Sequence, residues 1–180
     1  MAVLACRGES GAEWSAPAAD TAGTEAAPAV AVRDTVPTAL RGVCEAAGGV
    51  APGPAGDAGD PVPSTQIAHT VEAGPAQALR CVARTAVELE RLRAVVGIPD
   101  SVARRVDLEG GIVVAASMGR QSTAGYDLFV GSVRARRDTL WVGVHAALPP
   151  GVGAVEDLVT APADVVVIPS RTPNVVFYDH

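Results

Sequence analysis

YDLFVGSVRARRDTLWVGVHAA, residues 126–147, decides the fold class. Tyr126, Leu128 and Val130 recur at every second position with Asp127 on the other face, the period of a half-buried strand. Past Gly131-Ser132 the apolar phase slips by one, to Val133 and Ala135, and a β-bulge at the glycine accounts for the slip. Arg136-Arg137-Asp138-Thr139 reads as a polar turn. Leu140, Val142 and Val144 then alternate with Trp141, Gly143 and His145. A β-hairpin over 126–147 is the expectation.

Strand-like runs flank this hairpin. GIVVAASM (111–118) and ALRCVAR (78–84) precede it; DVVVIP (164–169) and VVFY (175–178) follow it, beyond a PPGVG loop at 149–153. Between the two upstream runs, Thr85-Ala-Val-Glu88 matches a capping box, in which the Thr hydroxyl accepts the Glu88 amide and the Glu side chain reaches back. The helix that follows is expected to end at about Val96, with Gly97 as terminator and Pro99 behind it. Its apolar arc is read as Val87, Leu92 and Val95, with Leu89 beside them. The expected architecture is α+β: a mainly antiparallel sheet or small sandwich of about six strands with one packed helix.

This domain is assigned to residues 64–180. Residues 1–63 are dominated by Ala, Gly, Pro, Ser and Thr, with too few large apolar side chains to offset the entropy of ordering, and read as a disordered stalk. One piece, TALRGVCEAAG (38–48), is expected to form two or three helical turns. Of a net charge of −6, residues 1–63 carry −5 and residues 64–180 carry −1. The domain surface is close to neutral, which argues against nucleic acid as a partner. All 14 basic residues are Arg, so P-loop Lys, Schiff-base and Ser-Lys chemistries are excluded.

The cysteines are at 6, 44 and 81, none in a C-x-x-C pair. Val3-Leu4-Ala5-Cys6 resembles the end of a bacterial lipoprotein signal, with Cys6 as the lipidated residue, although the charged and apolar regions that precede such a motif are missing. Lipidating Cys6 would leave Cys44 and Cys81 to pair in an oxidising compartment; the other reading of Cys81 is a small buried strand residue.

No catalytic set assembles. The histidines at 69, 145 and 180 lack metalloprotease spacing, and His145 reads as a structural strand residue. Ser117 lacks the G-x-S-x-G elbow, and Ser122 or Thr123 with His145 has only a generic spacing. GVGAVED (151–157) lacks the third glycine and the βαβ context of a dinucleotide site; GDAGDP (56–61) lacks the ligand alternation of a Ca²⁺ loop. No catalytic residue, metal or cofactor is expected.

One stretch, STAGY (122–126), is left without a purely structural assignment. Together with the helix 86–96, IVVAASMG (112–119), LPPGVG (148–153), VEDLVTAPADVVVIP (155–169) and NVVFY (174–178), it resembles the C-terminal domain of the protease complex subunit PrcB family in order and spacing. Thr123, Gly125 and Tyr126 match a P-T-G-G-Y turn of the family, whereas Ser122 replaces Pro and Ala124 replaces Gly. Ala161 and Ala163 stand for aromatics around Pro162, and the helix lacks the usual Trp. The resemblance implies an envelope lipoprotein, extracytoplasmic or periplasmic and membrane-associated only through its lipid, that assists a secreted protease complex without catalysis. Ser122, Thr123, Ala124, Gly125, Tyr126 and Pro162 are the implied partner contacts. On physical grounds Thr123 would hold the turn by a hydroxyl-to-backbone bond, and Tyr126 would plug the sheet edge. STAGY also resembles the N-P-T-T-G-Y loop of chagasin-like cysteine-protease inhibitors, so an inhibitor is the second reading.

Overall fold

The computed structural model describes residues 36–47, 53–54, 59–149 and 158–179. A 3₁₀ turn, Thr38–Leu40, leads to β1 (Cys44–Ala46), β2 (Asp60–Pro61), β3 (Thr65–Thr70) and β4 (Ala78–Ala83). Two helices follow, α1 (Ala86–Val96) and α2 (Asp100–Ala103), then β5 (Ile112–Met118), β6 (Asp127–Arg136), β7 (Thr139–Ala147), β8 (Ala163–Ile168) and β9 (Asn174–Asp179).

The strands form two sheets, in the orders β1-β4-β5-β8-β3 and β2-β6-β7-β9. All pairings are antiparallel except β7 with β9. The first sheet is covered on both faces. One face carries Leu79, Cys81, Val113, Ala115 and Val165 against Leu89, Leu92 and Val96 of α1. The other turns Ile112, Val114, Val166 and Ile168 onto Leu128, Val133, Leu140, Val142 and Val144 of the second sheet. Double coverage is why β5 and β8 are almost wholly apolar, while β6 and β7, covered on one face, alternate. The α+β sandwich with one main helix is as expected.

The central hairpin forms as its sequence dictates, with the register shift between Val130 and Val133. Arg137 adopts φ 56° in the turn, a left-handed conformation suited to the tight hairpin reversal. The capping box forms in full: Thr85 Oγ1 accepts Glu88 N at 3.3 Å, and Glu88 Oε2 accepts Thr85 N at 3.0 Å. Gly97 closes the helix in the left-handed region at φ 70°.

Among the described residues nine strands are found where about six were expected. The additional ones lack a readable period. β3 is interrupted by a bulge between Gln66 and Ala68, and β1 and β2 have only three and two residues. β1 also displaces the helical turns expected over 38–48: only Thr38–Leu40 is helical, and the chain reverses through Gly42 to pair with β4. Residues 36–47, placed by composition in the stalk, thus pack into the domain, with Leu40, Val43 and Cys44 in the core. Cys44 and Cys81, register partners, form a disulfide. Cys81 is both a buried strand residue and half of a cross-link. Val87 departs from the expected arc, since α1 buries Leu89, Leu92 and Val96 and leaves Val87 63% exposed. Residues 1–35, including Cys6 and the lipobox-like motif, lie outside the described residues.

Candidate interaction site

The segment 120–126 connects β5 to β6 across one end of the sandwich. Backbone bonds fix its entry: Arg120 N donates to Ala76 O at 3.0 Å, and Gln121 exchanges bonds with Thr160, 2.7 Å from its own amide and 3.1 Å from the Thr160 amide. The hydroxyl-to-backbone bond that steadies the turn comes from Thr160, whose Oγ1 donates to Thr123 O at 3.1 Å. The expectation gave that part to Thr123's own hydroxyl. Gly125 adopts φ +89°, and a Cβ there would lie 2.9 Å from Pro149 Cβ. The residue type at this corner is set by both backbone conformation and space.

The exit of the segment is clamped by a polar cluster. His69 on β3 lies between two carboxylates, Nε2 at 3.3 Å from Asp127 and Nδ1 at 3.5 Å from Asp164, and its ring stacks on Phe129 at 5.0 Å. Asp164 is 1% exposed. It accepts Val130 N at 2.8 Å and Gln66 Nε2 at 2.7 Å, so its charge is satisfied from three directions. β2 reaches only the far end of β6, and Asp164 takes the Val130 amide near the bulge. The cluster ties β3, β6 and β8 together immediately behind Tyr126.

Of the implied contact residues, Ser122 and Gly125 are exposed; Thr123, Ala124 and Tyr126 are half-buried. Pro162 is buried, and its carbonyl accepts Met118 N at 3.0 Å. It supports the loop from behind and presents no face to a partner. Sequence reasoning missed the side chains around the loop. Leu148 (68% exposed), Val159 (54%), Leu158, Phe129 and Val71 are five of the six exposed large apolar residues among those described. All lie next to the loop or its clamp. Pro149 lies against Gly125, Leu148 follows Ala147, the register partner of Asp127, Val159 adjoins Thr160, Val71 O accepts Ala161 N, and Phe129 stacks on His69. The sixth, Val87, is on α1. The one available signal was Asp164, a carboxylate heading an otherwise apolar strand.

His145 lies over Gly131, where a Cβ would meet its ring at 2.4 Å, and faces Phe129 across the hairpin. The bulge glycine makes room for that ring. Among the described residues no group of three or more His, Cys, Asp or Glu side chains is arranged to hold a metal ion. The site offers a firmly held turn, exposed apolar side chains beside it and a polar clamp built on buried Asp164. Such an arrangement suits the recognition of another surface.

No curated protein and no solved structure matches the chain. Residues 112–169, which run from β5 through the 120–126 turn and the hairpin to the end of β8, match the family model described as PrcB C-terminal.

Proposed function

We propose that this domain is a non-catalytic, extracytoplasmic binding module that docks onto and stabilises a protein of a protease complex through the 120–126 end of its sandwich. The observation that carries the reading is the gathering of exposed Leu148, Leu158, Val159, Val71 and Phe129 around a turn inside the family-matched segment. Isolated surface Leu or Val side chains are ordinary, but a clustered set on a rigid base marks an interaction site. The Cys44–Cys81 disulfide supports an oxidising compartment. Attachment through a lipid on Cys6, with the segment before residue 36 as tether, belongs to the same proposal.

The test uses the protein purified from its native envelope with its bound partner. Wild-type protein is expected to retain a protease subunit; Leu148→Asp and Val159→Asp should each weaken capture by about tenfold, whereas Val87→Asp on α1 should leave it unchanged. Equal capture by all four proteins, or recovery of no protease subunit, overturns the proposal. If the purified domain instead abolishes the activity of papain-like proteases, the inhibitor reading replaces it.

A further inference from the structure

At the β1–β4 edge of the sandwich, β4 and β1 of the first sheet face β9 of the second across a cleft of about 320 Å³. Arg80, Val82 and Arg84 form one wall, and Val175 and Phe177 the other. The alternation of β4 explains the first wall: Leu79, Cys81 and Ala83 face the helix side, so Arg80 and Val82 are directed between the sheets.

An arginine in that position is costly unless its charge and all its donors are matched. The Arg80 side chain is only 11% exposed. Its Nη1 donates to Leu79 O at 3.1 Å and Ser117 O at 3.0 Å, and its Nη2 meets Asp179 Oδ1 at 3.3 Å. Its Nε is the single buried side-chain nitrogen or oxygen among the described residues that has no hydrogen-bond partner. Asp179, its one anionic partner, is 62% exposed and correspondingly weak. Burial lowers the guanidinium below its usual range, while the attraction of Asp179 acts in the opposite direction. The other charges at the cleft are committed or peripheral. Arg84 donates to Thr172 O and Pro173 O, Glu88 is held in the capping box, and Glu45 is exposed at the rim.

We propose that this cleft is a carboxylate site that takes the C-terminus of an extended polypeptide. The terminal carboxylate replaces Asp179 along the Nε–Nη2 edge of Arg80, and an apolar last side chain lies against Val82, Val175 and Phe177. The carboxylate has two oxygens in one plane and so supplies the partner that Nε lacks together with a second bond to Nη2. Among the described residues β9 is the outer strand of its sheet, and an outer strand can pair with the backbone of an added strand. That edge favours a polypeptide over a small free acid. The site does not depend on the 120–126 turn, so either proposal can fail alone.

The experiment is fluorescence anisotropy of the full chain with a labelled six-residue peptide ending in leucine, as the free acid and as the C-terminal amide. The free acid is expected to bind and the amide to bind at least about tenfold more weakly. Arg80→Gln should abolish the difference between them. Asp179→Ala, which removes the internal competitor, should tighten binding of the free acid. Val175→Trp narrows the cleft with Arg80 intact and should block binding, with an unchanged circular dichroism spectrum showing that the fold persists. Absence of binding, or equal binding of acid and amide, overturns the carboxylate site. Binding of acetyl-leucine as tight as that of the peptide overturns the polypeptide assignment.

Discussion

Gly125 and Asp164 show how single residues hold the candidate site. At φ +89° with Pro149 beside it, Gly125 tolerates no Cβ without strain. Gly125→Ala is expected to cost about 1–2 kcal/mol and to lower Tm by a few degrees in calorimetry. A Tm within one degree of wild type would show that the turn relaxes freely. Asp164 matters for a different reason. Its carboxylate is the acceptor for Val130 N and Gln66 Nε2 and lies 3.5 Å from His69 Nδ1. Asp164→Ala therefore leaves buried donors without an acceptor and should destabilise by about 2–4 kcal/mol in urea unfolding. Asp164→Asn keeps one oxygen and should cost less. Of these two residues, Gly125 was legible, because a glycine directly before an aromatic at a turn marks a backbone position that a Cβ would hinder. The polar cluster was not legible. His69, Asp127 and Asp164 are far apart in the chain and share no motif, and only the packing of β3 and β6 against β8 joins them.

Helix α1 is the element whose sequence was most informative about its ends and least informative about its orientation. Caps are satisfied within one turn of the chain, so Thr85, Glu88 and Gly97 could be assigned from spacing alone. Thr85→Ala removes the acceptor for Glu88 N and should lower stability by about 1 kcal/mol, measured as a shift in the urea midpoint. Val87 lies outside the protein contact that an apolar arc suggests, because the rotation of α1 is set by what Leu89, Leu92 and Val96 meet on the first sheet. Val87→Thr should consequently leave stability within about 0.5 kcal/mol of wild type. The hairpin β6–β7 behaved as the helix ends did. Its phase slip at Gly131 is a local signal with a local cause, and the bulge lies there.

For the molecule as a whole, the Cys44–Cys81 bridge is a covalent constraint that joins positions 37 residues apart and fastens β1 to β4. Serine at both positions should remove about 2–4 kcal/mol. Because β1 has only three residues to pair, the loss should also raise the rate of proteolytic cleavage within 36–47; unchanged cleavage would mean that Leu40 and Val43 hold the segment without the bond. Amino-acid order alone determined the helix with its caps, the bulged hairpin and the apolar strands. Each of these follows from side-chain period and backbone preference within a dozen neighbouring residues. The tertiary structure alone decided that β7 and β9 run parallel, that residues 36–47 belong to the domain, that His69 meets two carboxylates, and that Arg80 is directed between two sheets. Those features depend on which distant surfaces bury one another, and a strand's own sequence specifies which face is apolar without specifying the partner that covers it.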